Sequence, residues 1–379
     1  MFPIKLKYCG PAKDYSGYGE ANRHDIAALV SAGIEITTQL PQYTMEVADF
    51  GALGDVALKH EGKQIGYKIK ILHTTPNVFG NYMEHDKYHI GRLFWETDKI
   101  PLDFAQGAQM MDELWTGSEY NKKAIQNCGV TKPIYIIPEA IDTKIGEIRP
   151  YVVDYPNDYK FYSIFEWTER KNPGALLEAY WREFENTEGV SLTLKTYVDN
   201  FGPEKKDEVK QNIRLIKKKL NLKRYAPLYL FTQLMDRHQI YRFHKTFDCL
   251  ISTHRGEGWG IPQMEAMLTG NPVISTACGG IHEYLTDKKD AYLLPFTLAH
   301  LKENTRNRQW YTMDQKWAEV KVEDVRASMR YVFEHKAERE AVAKAGQETV
   351  KREFSIEAVG IKMRDRLKES YKLTEPQLI

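Results

Sequence analysis

The chain lacks the features that would assign it to a disulfide-bonded secreted protein, a nucleic-acid-binding protein or a membrane protein. Its 379 residues include only four cysteines, which lie far apart and form no Cys-x-x-Cys pair, so buried thiols in a reducing compartment fit best. The formal charge of +1 creates no overall field that would attract nucleic acid or anionic lipid. Because no apolar run reaches membrane-spanning length and the N-terminus lacks a signal-peptide core, we expect a cytoplasmic protein without a transmembrane segment.

Two motifs of nucleotide and metal chemistry are also missing. The pattern Gly17-x-Gly19-x-x-Asn22 lacks the third glycine of a dinucleotide fingerprint, which disfavours a Rossmann dehydrogenase. This glycine loop could approach a diphosphate or an acceptor through bare backbone, and a simple tight turn explains it about equally well. No Asp-x-Asp occurs, which argues against a metal-dependent sugar transferase of the single-domain kind. His85 and His89 have helical spacing without a third ligand, so a surface helix is preferred to a metal site.

The length and the alternation of short apolar strands with helices predict an α/β fold of two doubly wound domains. We place the first domain at 1–150 and the second at 151–355, with a polar linker near 142–158. The first begins with a strand, a loop up to Gly19 and a helix from about Glu20, and a later strand covers 90–95. Functional residues in such sheets collect at the carboxyl ends of the strands.

A predicted helix at 203–220 in the second domain is rich in lysine. Cationic residues near its end (Lys217 to Lys219, Lys223 and Arg224) could indicate a nucleic-acid patch. Because no aromatic residues interleave with them, a solvated helix face is the better explanation. Further amphipathic helices follow from about Val322, with a break near Phe354 and Ser355.

The segment DCLISTHRGEGWGIPQMEAMLTGNPVISTACGGIHEYL at 248–285 predicts a strand, a glycine-rich loop, a short helix and a second strand. Free amides around Gly260 to Gln263, at the helix start, suit phosphate. Glu257 lies in the loop and Glu265 in the predicted first turn of the helix. The helix dipole explains Glu265 structurally. Glu257 precedes the helix among glycines, which favours a functional explanation.

Two cations, Arg170 and Lys171, follow the first strand of the second domain and precede its first helix. Arginine can bind phosphate oxygens in a bidentate way and lysine acts as a compact charge. Such a pair is ordinary surface sequence when taken alone. Its position at a strand end in the same predicted sheet as the Glu257 loop favours a diphosphate site.

The run EGWGIPQMEAMLTGNPVIST at 257–276, followed by two glycines, resembles the signature of the family-4 (group 1) retaining glycosyltransferases. WETDKIP, LWTGS, IIPEAID and ERKNPGALLEAY elsewhere in the chain resemble the same family. The resemblance implies GT-B architecture, an α/β fold with two Rossmann-like doubly wound domains facing across a cleft. The first domain would be the acceptor side, joined by the last helix at 356–379, and the second would bind the nucleotide-sugar donor.

The resemblance also implies roles for individual residues. Glu257 would contact the donor sugar near the reacting carbon, Glu265 would hold the ribose hydroxyls, and Lys171 would neutralise the donor diphosphate. His73 resembles the first-domain histidine beside the sugar and joins Glu257 as a candidate catalytic residue. The remaining implied donor-binding residues are Arg170, Gly17, Gly19, Gly258, Trp259, Gly260 and Ile261.

The chain departs from the family at two places. The family often has an arginine where this chain has Phe165 and Glu166, which leaves open whether Arg170 supplies the second charge. It more often has His-Gly or Asn-Gly where this chain has Glu139-Ala140.

The implied function is retaining transfer of a hexosyl or pentosyl group from a nucleoside diphosphate sugar, without a metal or other cofactor. The acceptor stays undetermined among a glycan, a small molecule, a lipid, a protein and a modified nucleic-acid base. Two alternatives also remain, namely a GT-B protein that binds a nucleotide or glycan without transfer, and a GT-B nucleotide-sugar epimerase. Backbone near 232–236 would select the base. Aromatic residues in predicted loops (Tyr15, Tyr18, Phe79 and Tyr82) could stack on sugars, although core packing explains most aromatics.

Overall fold

The computed structural model describes residues 4–43, 50–154, 159–302, 305 and 309–374. The chain divides into two compact units. One comprises the residues up to Lys144 together with those from Lys351 onward, and the other runs from Ile145 to Val350. Each unit contains a six-stranded parallel sheet, which confirms the predicted α/β class.

The described residues form strands and helices in alternation. The strands are β1 (Lys5–Cys9), β2 (Glu35–Gln39), β3 (Ile69–Leu72), β4 (Tyr88–Arg92), β5 (Glu113–Thr116), β6 (Ile134–Ile136), β7 (Tyr159–Glu166), β8 (Val190–Tyr197), β9 (Leu228–Phe231), β10 (Cys249–Ser252), β11 (Val273–Thr276), β12 (Tyr292–Leu294), β13 (Phe296–His300) and β14 (Lys316–Val320). The helices are α1 (Gly17–Ser31), α2 (Gly51–Lys59), α3 (Leu102–Gln109), α4 (Glu119–Gln126), α5 (Pro173–Glu183), α6 (Pro203–Leu220), α7 (Arg237–Thr246), α8 (Ile261–Leu268), α9 (Val322–Glu334), α10 (Lys336–Glu353) and α11 (Ile356–Leu373).

The sheet of the first unit has the strand order β2-β1-β3-β4-β5-β6, and every pairing is parallel. Strands β3 and β5 are buried along their whole length, as expected for parallel strands that are covered on both faces. Helix α11 returns to this unit, where Val359, Met363 and Leu367 join its core. Arg366 and Ser370 of the same helix bind the buried carboxylate of Glu113 on β5.

The sheet of the second unit has the order β12-β11-β10-β7-β8-β9. Because β7 and β10 are parallel neighbours, their carboxyl ends lie at the same edge of the sheet. An antiparallel hairpin, β13 paired with β14, follows this sheet and was not predicted from the sequence. The helices α9 and α10 precede the break at Phe354 and Ser355, which lies where the sequence predicts it.

Two local predictions in the first unit were wrong. Gly17 and Gly19 lie in the first turn of α1 and not in the preceding loop, because the hydroxyl of Ser16 caps that helix by accepting from the Gly19 amide. His89 lies on β4 and is buried, whereas His85 is exposed outside any helix or strand. The two histidines therefore do not lie on a helix, although their spacing fits one. The strand that was predicted at 90–95 is Tyr88–Arg92.

Close packing of α11 on α1 depends on Gly360. A Cβ atom at this position would lie 2.3 Å from the carbonyl oxygen of Ala28 and 2.8 Å from Oγ of Ser31. Both distances are shorter than real Cβ contacts allow, so the two helix backbones can approach only because residue 360 has no side chain.

We therefore expect Gly360→Ala to lower the free energy of unfolding by about 1–3 kcal/mol, because the extra methyl group overpacks this contact. Urea unfolding followed by circular dichroism measures the change. Gly174→Ala is the matched control, because a Cβ atom there meets nothing within 4 Å. Equal stability of the two variants would contradict the packing argument.

Candidate functional site

The glycine-rich loop of the second unit connects β10 to α8. Gly260 caps α8 with a φ of 93°, a backbone conformation that favours glycine. Gly279 and Gly280 follow β11 and pack against the loop, where Cβ atoms would lie 2.2 Å from the Glu257 carbonyl oxygen and 2.1 Å from the Gly258 carbonyl oxygen. The Gly280 amide also donates to the Glu257 carbonyl at 2.9 Å. The second glycine pair thus holds the loop that carries Glu257.

The two predicted cations meet the predicted carboxylate. Nζ of Lys171 contacts Oε1 of Glu257, and Nη1 of Arg170 lies 3.2 Å from Oε2. The same Arg170 nitrogen donates to the Gly256 carbonyl at 2.8 Å. Asn172 lets the chain turn after Lys171, because it caps α5 in the left-handed region that asparagine tolerates. The three residues form one charge cluster at the carboxyl ends of β7 and β10.

The charge cluster keeps Glu257 ionised. Burial alone would raise the pKa of Glu257, but the charges of Lys171 and Arg170 outweigh it and lower the pKa to about 2. Burial lowers the pKa of the neighbouring His254 to about 4, so its imidazole is neutral at neutral pH. Two cations and one carboxylate leave the cluster with a net positive charge, which favours an anionic ligand.

Arg255 connects the loop between β10 and α8 to β14 and to the segment that carries Arg170. Its guanidinium pairs with Glu319 of β14 at 2.7 and 3.1 Å, lies over the ring of Trp317, and donates to the Glu169 carbonyl. Its backbone amide donates to the Arg170 carbonyl at 2.7 Å, and its carbonyl accepts from Ala318. The hairpin of β13 and β14 therefore supports both segments that form the charge cluster.

Glu265 lies on α8, but beyond its first turn, because the helix begins at Ile261. The amides of Gln263 and Met264 donate to the Gly260 carbonyl, so they are engaged within the helix and the predicted row of free amides is shorter than expected. The Glu265 carboxylate is buried and contacts two residues that were not predicted from the sequence. Arg237 at the start of α7 pairs with Oε1, and Nε2 of His244 lies 3.3 Å from Oε2.

His73 belongs to a buried cluster in the first unit. Its Nδ1 lies 3.0 Å from Oδ2 of Asp25 and 2.8 Å from the hydroxyl of Tyr8. Burial lowers the pKa of His73, so the ring is neutral, and its one proton belongs on Nδ1 because a bare nitrogen would repel the Asp25 carboxylate. Nε2 is then a buried acceptor that has no hydrogen-bond partner among the described residues.

Arg92 neutralises Asp25 in the same cluster. It pairs with the Asp25 carboxylate and donates to the carbonyls of Ile137 and Pro138 at 2.9 and 3.1 Å. Burial by itself would raise the pKa of Asp25, but Arg92 and His73 together lower it. The arginine is thereby committed to one carboxylate.

Glu139 is the second carboxyl group beside Arg92, and it is only 2% exposed. Its Oε1 lies 3.8 Å from Nη2 of Arg92, and its Oε2 has no hydrogen-bond partner among the described residues. Burial and the negative charge of Asp25 raise the pKa of Glu139 to about 8, although Arg92 acts in the opposite direction. Glu139 is therefore a largely protonated acid at neutral pH.

The remaining candidates fall into the two units as follows. Trp259 is buried, stacks near Tyr284 with 5.1 Å between the ring centroids, and accepts through its carbonyl from the Tyr284 hydroxyl. Tyr18 meets the His73 ring edge-on at 5.0 Å. Phe79 is fully buried, which agrees with core packing rather than with stacking on a sugar. Gly17, Gly19 and His73 belong to the first unit, whereas Gly258, Ile261 and the other predicted donor-binding residues belong to the second.

Apart from Arg237, the residues that the sequence did not reveal share one property. Tyr8, Asp25, Arg92, Tyr162 and His244 are polar residues that are buried within or beside regular elements. A charged residue among apolar helix positions, such as Asp25 beside Ile26, was the only signal available. Such a residue indicates a partner but does not say which one.

The described ranges contain neither a metal-binding group of side chains nor a membrane-spanning helix. No group of three His, Cys, Asp or Glu side chains is arranged there to hold a metal ion. No helix among those residues has the length and apolarity that crossing a bilayer requires. Cys9, Cys249 and Cys278 are buried free thiols, and Cys128 is partly exposed.

The fold defines a class of proteins. HepE from Anabaena, solved with UDP-glucose, is similar over 97% of this chain and 100% of its own, with a TM-score of 0.66 and 14% identity. Sucrose-phosphate synthase from Thermosynechococcus elongatus (98% and 100% covered, TM-score 0.68, 14% identity) and a glycosyltransferase from Rickettsia africae (98% and 100%, 0.65, 14%) are also similar. The chain has the GT-B fold that these structures share.

The sequence comparison concerns mainly the second unit. Residues 152–305 match the model of the family described as "Glycosyl transferases group 1". These residues include the charge cluster, Glu265 and the glycine-rich loop. No protein with a curated description matches the chain.

The charge cluster predicts a specific pH dependence of stability. Because the pKa of Glu257 is lowered from 4.5 to about 2, the ionised carboxylate contributes stability above pH 4.5 that is lost as the pH falls towards 2. Glu257→Gln removes this contribution and leaves two cations without their carboxylate. We expect the free energy of unfolding to fall by up to about 3 kcal/mol. Urea unfolding across this pH range should show the variant weaker above pH 4.5 and similar to the wild type near pH 2. A difference that is constant with pH would contradict the assignment.

The raised pKa of Glu139 predicts the opposite dependence of stability on pH. The unfolded chain loses this proton near pH 4.5 and the folded chain near pH 8, so wild-type stability falls as the pH rises between these values. Glu139→Gln does not titrate, and we expect its stability relative to the wild type to increase across the same range. Thermal unfolding at several pH values measures this, with the exposed Glu348→Gln as control. Parallel curves for wild type and Glu139→Gln would show that Glu139 is ionised when folded.

Proposed function

We propose that the protein is a retaining, metal-independent glycosyltransferase of group 1, which moves a hexosyl or pentosyl group from a nucleoside diphosphate sugar to an acceptor. The observation that carries the proposal is the charge cluster of Arg170, Lys171 and Glu257 beside the start of α8. The family match over residues 152–305 supports it, because that range contains all three residues.

The residue types suit the chemistry of this transfer. Breaking the bond between sugar and diphosphate places negative charge on the leaving group and positive charge on the sugar ring. Lys171 and Arg170 would stabilise the leaving diphosphate, and Glu257 would hold the sugar near its reacting carbon. Fixed charges of this kind often supply most of the rate enhancement. No metal is required for such a mechanism, since the two cations take its electrostatic role.

Donor binding would involve further groups in the second unit. Glu265 is proposed to accept hydrogen bonds from the ribose hydroxyls, and the backbone at Gly258, Trp259, Gly260 and Ile261 to approach the diphosphate. UDP-sugars are the first donors to test, because HepE was solved with UDP-glucose. The backbone near 232–236 is proposed to select the base.

The first unit is proposed to serve the acceptor and the reacting sugar. The acceptor hydroxyl would attack the anomeric carbon on the side that the diphosphate leaves, and a phosphate oxygen would take its proton. His73 would accept a hydrogen bond from a sugar hydroxyl through Nε2, since its Nδ1 is committed to Asp25. The backbone near Gly17 and Gly19, at the start of α1, is proposed to approach the donor phosphates.

A GT-B protein that binds a nucleotide or glycan without transfer is the second candidate. The observation that favours it is Glu139, a buried and largely protonated acid beside Arg92 where the resembling family more often has His-Gly or Asn-Gly. Tight binding of a nucleoside diphosphate without turnover of any donor would support this candidate. Conversion of a nucleotide sugar without an acceptor would instead indicate an epimerase.

The proposal is tested by an assay for transfer or hydrolysis of UDP-glucose and other nucleotide sugars. The assay measures the nucleoside diphosphate that is released. We expect Lys171→Met and Glu257→Gln each to lower kcat/KM by about a hundredfold or more, because each removes a group that faces developing charge. Lys206→Met, on the exposed face of α6, is the matched control and should keep wild-type activity. Full activity in both site variants would contradict the site assignment.

A further inference from the structure

The Glu265 carboxylate is held from inside the second unit by a chain of buried groups. Nε2 of His244 lies 3.3 Å from Oε2 of Glu265, and Nδ1 of His244 lies 2.7 Å from the hydroxyl of Tyr162. The side chains of His244 and Tyr162 are buried, and Glu265 is only 1% exposed. The three groups therefore have no access to solvent water that could replace a missing hydrogen bond.

The chemistry of the three groups leaves one direction for the protons. Burial, together with the nearby charge of Arg237, lowers the pKa of His244 to about 3, so the ring is neutral and carries one N–H. The Glu265 carboxylate, which also pairs with Arg237, accepts a hydrogen bond, and burial raises the pKa of Tyr162 far above its ordinary value, so its hydroxyl keeps its proton. Because the carboxylate accepts from Nε2, the single imidazole proton lies on Nε2, and the bare Nδ1 accepts from the Tyr162 hydroxyl.

The two oxygens of Glu265 then have different surroundings. Oε2 accepts a hydrogen bond from Nε2 of the buried His244. Oε1 faces Arg237, whose side chain is 27% exposed. A carboxylate with one oxygen fixed in this way has a defined plane, so the direction of its other oxygen, which is itself buried beside Arg237, is also fixed.

We propose that His244, oriented by Tyr162, is a positioning residue that fixes the Glu265 carboxylate for the vicinal hydroxyls of a nucleotide ribose. The inference rests on the proposed function, because it assumes that Glu265 meets the ribose. It assigns two residues that lie outside the glycine-rich loop. Preorganisation of this kind lowers the entropy that a carboxylate loses on binding.

The test compares UDP with 2′,3′-dideoxy-UDP, which keeps the base and the diphosphate but lacks both ribose hydroxyls. Isothermal titration calorimetry gives the ratio of the two dissociation constants for each protein variant. In the wild type we expect UDP to bind at least about tenfold more tightly, which corresponds to one hydrogen bond with a charged group.

Two amide substitutions of His244 form a matched pair. His244→Gln places its NH₂ group near the position of Nε2 and can still donate to Glu265. His244→Asn is shorter, so its amide meets Tyr162 but does not reach Glu265. We expect the Gln variant to keep the wild-type ratio and the Asn variant to lose most of it, while 2′,3′-dideoxy-UDP binds equally to both. A role in core packing alone would not separate two ligands that differ only in the ribose.

Each outcome distinguishes the inference from the proposed function. If the wild type binds neither UDP nor any other nucleoside diphosphate, the proposed function is overturned. If the wild type discriminates between the two ligands and His244→Asn discriminates equally, the positioning role is overturned. Tyr162→Phe, which removes a hydroxyl and keeps the ring, replaces the His244 variants if they do not fold. An unchanged ratio in that folded variant would also overturn the proposal.

Discussion

The ion pairs between Glu257 and the two cations Arg170 and Lys171 are the interaction on which the candidate site of the second unit depends. They join two loops that are far apart in the sequence but follow neighbouring parallel strands, β7 and β10. A carboxylate so deeply buried would otherwise be neutral, and the cations keep it charged. Gly279 and Gly280 on one side and Arg255 with the β13–β14 hairpin on the other hold the loops in this arrangement. The site is therefore a property of several strand ends together.

The first unit also buries carboxyl groups beside an arginine, but it has one cation for two carboxyl groups. One buried arginine, Arg92, lies beside two carboxyl groups, but its hydrogen bonds go only to Asp25 and to two backbone carbonyls. Since only one negative charge is neutralised, Glu139 retains its proton. The departure from the resembling family at position 139 is thus compatible with a stable fold, because the acid behaves as a neutral group. The same network leaves Nε2 of His73 as an acceptor.

Much of the fold and part of the site could be predicted from the sequence. Periodicity and turn residues identified the two α/β units, most strands, and the break at Phe354 and Ser355, because these features depend on neighbours in the chain. The helix starts at Gly17 and not near Glu20, because Ser16 is the residue that caps it. The β13–β14 hairpin was not predicted, because no residue of β13 is buried and its sequence therefore carries no core-facing pattern. The spacing of His85 and His89 was misleading because β4 begins between them, at Tyr88, so the two histidines do not belong to one element.

What the sequence determined by itself is the local chemistry, namely a glycine-rich loop with Glu257, a helix that carries Glu265, and a cation pair at a strand end. Each follows from residues within about ten positions of one another, where steric and hydrogen-bonding preferences act directly. Only the tertiary structure decided that Arg170 and Lys171 contact Glu257. It also decided that His244, which Tyr162 contacts, lies against Glu265. In the first unit it placed Glu139 and Asp25 beside the same arginine. These contacts join residues far apart in the chain, and their protonation states depend on burial, which no sequence pattern specifies.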